Sequence, residues 1–313
     1  MFKWKKLGRI FNPMELKNES WMKEYAQAPS VLILEHCIRV FFSSRGNPEN
    51  GQYVSRLGYI DLKKDDLFKI INICKAPILP LGELGTFDEF GTYPATVIKS
   101  GNETRVYYAG WTRCESVPFN AAIGLALSND DGETFTRIGK GPVLSYSPDE
   151  PFVLGSPKIR RFNNTWYLWY SSGKKWALNN PKPEPFYKIR MARSADGVNW
   201  IKYGKDIIEN VLDENECQAG ADVFFFQGIY HMFFSYRYQL SKVYKVGYAF
   251  SNDLLNWERD DSIAGLGVSE NGWDSESVSY PHVFELDHKI YMLYQGNEIG
   301  KYGFGLAELE SYN

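Results

Sequence analysis

The chain repeats one pattern of strands five times, and a repeat of that kind admits few folds. Short aromatic runs recur at "IRVFFSSR" (38–45), "TRVYYAGWTR" (104–113), "TWYLWYSSG" (165–173), "IYHMFFSYR" (229–237) and "IYMLYQGN" (290–297). A run of small and apolar residues precedes each: "APSVLIL", "YPATVI", "SPKIRRF", "GADVFFF" and "YPHVFEL". Another follows each: "RLGYIDL", "AIGLALS", "KIRMARS", "KVGYAFS" and "GFGLAEL". Such β-branched and aromatic runs, bounded by Gly, Asn, Asp and Pro, read as strands joined by hairpins. In the middle three units a turn then leads into "FTRI", "WIKY" or "WERD", a fourth strand. Each unit is four antiparallel strands over roughly 50–65 residues, and five of them make an all-β, five-bladed β-propeller. A single domain over 1–313 is expected, with blades at about 27–80, 88–148, 150–210, 214–264 and 276–313. The fifth unit lacks its outer strand. The strand-like "KLGRIF" (6–11) is expected to supply it, closing the ring and removing a free edge.

The acidic stretch "SNDDGETF" (128–135) has partial copies at "SADGVNW" (194–200) and "SNDLLNW" (251–257). All three fall between the third and fourth strands of a unit, so a repeated turn explains them better than a repeated active site. Asp130 is expected to cap backbone N–H groups, Gly132 to take positive φ, and Phe135 to pack between blades.

Composition narrows the function. The net charge of −3 gives no reason to expect a nucleic-acid or membrane partner. Aromatic residues make up 16% of the chain, which suits a β-rich fold and a site that stacks sugars. Cys37, Cys74, Cys114 and Cys217 show no C-x-x-C spacing, so buried thiols are expected and no metal or other cofactor. No apolar run approaches a membrane span, and the basic N-terminus has no signal-like apolar core. The expected compartment is cytoplasmic. P-loop, dinucleotide and Ser-His-Asp patterns are absent, which argues against NTPase, dehydrogenase and serine hydrolase chemistry.

Propeller topology puts the loop before each inner strand and the loop after each second strand on one face, around the channel. The inner strands align on Pro29, Pro94, Pro157, Ala221 and Pro281. Five residues earlier stand Glu24, Glu89, Phe152, Glu216 and Glu276. One residue later stand Ser30, Ala95, Lys158, Asp222 and His282, a polar column that strand alternation points at the channel. Basic residues follow the second strands: Arg45, Arg113 and Arg237, with Lys174 and Lys175 in the third blade. They suit phosphate or carboxylate oxygens, or equally the loop glutamates. Trp111, Trp176, Tyr93 and Tyr280 are candidate sugar platforms, and His282 is the histidine best placed for a site.

"WDSESVSYPHVFELDHKIYMLYQGN" (273–297) and "FDEFGTYPATVIKSGNETRVYYAGW" (87–111) carry a W/F-D…P-x-V…Y-x-G pattern. It resembles the five-bladed propeller superfamily of glycoside hydrolases and phosphorylases, including families 43, 32 and 130. "SNDDGETF" is similar to the Asp-box turn of sialidases. The resemblance implies action on a glycosidic bond. It departs at three places: family 43 carries Asp before the first inner-strand Pro, where this chain has Ala28. Its general acid matches Gly155 or Ala219. "ECQAGADVF" (216–224) resembles the Glu-Cys-Pro-Asp of family 32 with three residues inserted.

Glycosidic cleavage needs one carboxylic acid and, in hydrolysis, a second carboxylate. The candidates are Glu216, Asp222, Glu89 and Glu276. Glu216 is the expected general acid, since it lies closest to the acid-bearing loop of the resembled families, with Asp222 or Glu89 as partner. The expected substrate is an anionic or phosphorylated sugar. A glycosyltransferase or phosphorylase using a sugar phosphate or nucleotide sugar is the second reading, and a sugar-binding propeller without catalysis the third.

Overall fold

The computed structural model describes residues 1–16, 20–179 and 182–312. A first strand, β1 (Phe2–Phe11), is followed by five strand sets. The first blade holds β2 (Glu24–Ile33), β3 (Ile38–Arg45), β4 (Ser55–Lys63) and β5 (Asp66–Ile73). The second holds β6 (Thr92–Ser100), β7 (Glu103–Arg113), β8 (Phe119–Ser128) and β9 (Thr136–Arg137). The third holds β10 (Leu154–Phe162), β11 (Thr165–Asn179), β12 (Lys182–Ser194) and β13 (Ile201–Lys202). The fourth holds β14 (Glu216–Phe226), β15 (Ile229–Tyr238), β16 (Lys245–Ser251) and β17 (Glu258–Arg259). The fifth holds β18 (Ser279–Leu286), β19 (Lys289–Gln295) and β20 (Phe304–Tyr312), and its outer place is taken by β1. Every pairing within a blade is antiparallel. The molecule is a five-bladed β-propeller closed by its N-terminal strand.

The closing strand is longer than 6–11. It begins at Phe2, whose partner is Tyr312, and Phe2 and Trp4 are buried while Lys3 and Lys5 face solvent. That alternation is the period-two signature of a strand with one wet face. Blades pack through apolar sandwiches such as Phe41, Tyr59, Val97 and Phe135 between the first two.

The rim turns behave as fold elements. Asp130 accepts from the Thr134 N–H (3.0 Å), the Thr134 hydroxyl (2.6 Å) and the Ser128 hydroxyl (2.6 Å). Asp196 and Asp253 hold the equivalent N–H groups of Val198 and Asn199, and of Leu255 and Asn256. Gly132 sits at φ 85°, and a Cβ there would meet the Phe41 ring at 2.6 Å. Cys37, Cys74 and Cys217 are buried, but Cys114 is exposed, against the expectation that the thiols are buried.

Four blades share a buried clamp that the sequence columns did not reveal. Asp88 accepts from the Tyr108 hydroxyl (2.8 Å) on β7 and from Arg137 (2.7 Å) on β9. Glu150 accepts from Tyr170 (2.9 Å) on β11 and Arg190 (2.9 Å), and pairs with Lys202 on β13. Asp274 accepts from Tyr294 (3.0 Å) on β19 and Lys6 (2.6 Å) on β1. In the fourth blade the acid is Glu216 and the base is Arg259 (2.6 Å) on β17, which lies 4.5 Å over the Tyr236 ring on β15. Each clamp ties the entry to a blade's inner strand to its second and outermost strands.

Candidate active site

Each inner strand breaks register beside its anchor position, between Gln27 and Ser30, Thr92 and Ala95, Gly155 and Lys158, Ala219 and Asp222, and Ser279 and His282. Ala28, Ser156, Gly220 and Tyr280, each directly before its anchor, take positive φ of 49–62°. Non-glycine residues seldom adopt that region, and where the surroundings enforce it the site is often a working one. Of this kinked column Ser156 and Tyr280, with Tyr93 in the second blade, form the floor of a pocket at the channel mouth.

Below the floor the channel is filled. Asp222 accepts from Arg160 (2.8 Å) and the Val283 N–H (2.7 Å), with Lys158 3.9 Å away. Burial alone would raise the Asp222 pKa, but Arg160, His282 and Lys158 outweigh it and hold the carboxyl well below its usual range. The Val31 N–H donates to His282 Nε2 at 3.0 Å, so the ring proton sits on Nδ1, 3.5 Å from Asp222. Burial lowers the His282 pKa to about 4 and the Lys158 pKa to about 8. Ser30 accepts from the Val97 N–H (3.0 Å), so the column stitches inner strands of successive blades together.

Above the floor lies a pocket of about 530 Å³ with walls from all five blades. Aromatic faces dominate it. Trp111 and Phe119 pack at 4.0 Å, and Tyr93 stands 6.3 Å from Trp111 and 6.2 Å from Tyr280. Tyr25, Tyr187 and Tyr244 complete the lining. The hairpin of β11 and β12 runs past the body of its blade, and residues 182–187 of it form one wall.

A hydrogen-bond chain runs along this wall. Arg237 can only donate, and it does so to the Tyr187 hydroxyl oxygen at 3.2 and 3.4 Å. The Tyr187 and Tyr244 hydroxyls share a hydrogen bond of 2.5 Å that either can donate. Burial raises the Tyr187 pKa well above the phenol range despite Arg237, so Tyr187 is a neutral phenol.

The sequence candidates divide sharply. Glu276, Arg45, Arg237, Tyr93, Trp111 and Tyr280 line the pocket. No hydrogen bond or ion pair of the Glu276 carboxylate is found among the described residues. Arg45 donates through Nε to Ser55 (3.0 Å) and stacks over Tyr25 (4.4 Å), with no carboxylate partner among those residues. Arg237 has spent its donors on Tyr187 and on the carbonyls of Tyr238, Gln239 and Ser241.

The other candidates lie elsewhere. Glu216 is 0% exposed and accepts from Arg259, Gln218 (2.7 Å) and the Val211 and Leu212 N–H groups (3.0 Å each). Burial opposes its ionisation, yet Gln218, Arg259 and Val211 hold its pKa below the ordinary value. A proton donor for catalysis needs the opposite shift. Asp222 and His282 are channel filling, as described. Glu89 caps the Gly85 N–H (2.9 Å). Arg113 lies over the Phe90 ring (4.2 Å) and does not line the pocket, so the expected convergence of three arginines is corrected to two. Lys174 pairs with Asp206 (3.0 Å), and Trp176 meets Phe119 edge-on (5.3 Å) behind the wall. The columns missed Glu184, Glu298, Lys182, Lys242, Tyr187 and Tyr244, which also line the pocket. One signal was present: the segment joining the second and third strands is longest in the third blade.

Among the described residues no group of three or more His, Cys, Asp and Glu is placed to hold a metal ion. No helix there is long and apolar enough to cross a membrane.

No protein-family profile matches the chain. An uncharacterized protein of Mycobacterium tuberculosis is 34% identical over 310 residues, covering 98% of this chain and 99% of the relative. A β-1,2-mannobiose phosphorylase of a Thermoanaerobacter species is 25% identical over 145 residues, 43% of this chain and 45% of that protein. Among solved structures, a glycoside hydrolase superposes with a TM-score of 0.75 at 15% identity, covering 98% of this chain and 92% of its own. A structure from the GH130 family of mannoside phosphorylases gives 0.72 at 14% identity, over 98% and 93%. A thermostable family-43 glycoside hydrolase gives 0.65 at 16% identity, over 93% and 90%. At such identities the structural likeness is one of fold.

Proposed function

We infer the function from membership: the chain belongs to the family of its mycobacterial relative, inside the five-bladed β-propeller superfamily of glycoside hydrolases and phosphorylases. On that footing it is a carbohydrate-active enzyme that works at a glycosidic bond with a phosphate-sized anion in the pocket. One observation carries the reading: an aromatic-walled pocket of about 530 Å³ holds a carboxylate, Glu276, and an arginine, Arg45, that have no ion-pair partner among the described residues. Trp111 and Tyr93 offer faces for a pyranose ring. Glu276 exchanges the proton with the glycosidic oxygen. Arg45 holds the anion, either free phosphate or a phosphoryl group on the sugar. The Tyr244 hydroxyl donates to a sugar or phosphate oxygen.

Phosphorolysis or transfer is favoured over hydrolysis by Ala28. The position where family 43 carries its carboxylate is a buried methyl group here, packed with Tyr93 and Tyr280 under the pocket, so the nucleophile is better supplied by an anion than by activated water. Hydrolysis stays as a second reading because Glu184 and Glu298 line the same pocket. The test is a panel of β-linked disaccharides, β-1,2-mannobiose included, incubated with and without inorganic phosphate. Sugar 1-phosphate forming only when phosphate is present supports the first reading, and free sugar in both arms supports the second. Sugars that bind but are never turned over would leave a binding propeller.

A further inference from the structure

One side of the pocket mouth combines exposed aliphatic groups with an excess of positive charge. The hairpin wall carries Lys174, which pairs with Asp206, and Lys175 and Lys182 beside one acid, Glu184. The neighbouring stretch, 237–245, carries Arg237, which faces Glu184 at 3.9 Å, and Lys242 and Lys245, with no acid of its own. Gln239 Nε2 donates to the Glu184 carbonyl at 3.3 Å, so the two segments form one rim. On it Leu178 is 91% exposed and Leu240 71%, with Tyr238 and Val243 also exposed. Lys182, Lys242 and Val243 reach from the rim into the pocket lining. Isolated exposed leucines are ordinary, but aliphatic tips set among lysines beside a site are not. The chain as a whole carries −3, so this basic rim is a local concentration.

We propose that this rim docks on an anionic lipid surface, so that the pocket meets a sugar held at that surface by a lipid. Leu178, Leu240 and Val243 enter the headgroup layer while Lys182 and Lys242 face lipid phosphates. Docking stands on the rim alone; the lipid-held sugar rests also on the function proposed above.

The experiment is flotation of the full chain with phosphatidylcholine vesicles and with vesicles of phosphatidylcholine and phosphatidylglycerol at 3:1. Wild type is expected to float with the anionic vesicles only, and less as salt rises. Leu178→Asp/Leu240→Asp and Lys182→Glu/Lys242→Glu should each lower the bound fraction by about tenfold. The leucine pair lies outside the pocket lining and should leave turnover of soluble disaccharides unchanged. Equal binding of wild type and the leucine variant, or no binding of wild type, overturns docking. A wild-type dimer on size exclusion that the leucine variant abolishes would assign the rim to a second copy of the chain and also overturn it. Vesicle binding without turnover of any sugar would sink the functional reading and leave docking intact.

Discussion

Glu216→Gln leaves the Arg259 guanidinium buried with its charge half answered, because Asp261 is its remaining acid (2.8 Å). Removing one partner of a buried pair costs about 3–5 kcal/mol, so the variant should melt far below wild type. Glu276→Gln removes a carboxylate without partners among the described residues and should melt like wild type while turnover falls by about two to four orders of magnitude. Thermal melts and rates on the same two variants check both statements, and the reverse pattern would return Glu216 to the chemistry. The rim aspartates give a second prediction. Backbone N–H groups hold the Asp253 pKa at about 2, and Asp196 is lowered in the same way. Folded values below the unfolded value of about 3.9 contribute stability above that pH, and the contribution is lost as pH falls towards 2. Asp253→Asn, scanned by melting temperature against pH, should flatten part of that fall. Both glutamates stand in one sequence column, yet they face different surroundings. The clamp acids Asp88 and Asp274 sit one residue before Glu89 and two before Glu276, and only folded partners decide which acid turns inward. Sequence spacing does not carry that information.

Strands, hairpins and rim turns were legible because each is dictated by neighbours in the chain: period-two alternation, turn residues, aromatic repeats. The pocket floor was less so. Strand alternation predicts which face a residue takes only while register holds, and every inner strand breaks register beside its anchor. Tyr280 and Ser156 line the pocket, while the column two residues later fills the channel. The β11–β12 wall brings a prediction at this scale. Its placement leans on the Phe119–Trp176 contact, and aromatic pairs of this kind contribute about 0.5–1.5 kcal/mol. Trp176→Ala should weaken sugar binding by about two- to tenfold with little change in the rate at saturation, read from initial rates over a range of substrate concentration. A large fall in the saturated rate would place Trp176 closer to the reacting atoms than the edge contact implies.

For the whole molecule, the ring is held by what fills its axis. Burial keeps His282 neutral, lowering its pKa to about 4 against an unfolded value of about 6.5. The unfolded chain then binds the proton first, so stability falls as pH drops from about 6.5 towards 4 and is untouched above that range. His282→Gln keeps an acceptor for the Val31 N–H and should remove this slope from a plot of melting temperature against pH. The charge balance of the chain gave no hint of the lysine-rich rim, because an average over five blades cancels what one side gathers. The closing strand has a mechanical consequence. Phe2 lies opposite Tyr312, so residues 2 and 312 leave the ring side by side at the same end of one antiparallel ladder. Tension applied there loads the β1–β20 hydrogen bonds one after another, as a zipper is opened, rather than all at once in shear. A pull on these ends should therefore open the ring at its seam under low force and strip β1 away first, before the other blades give.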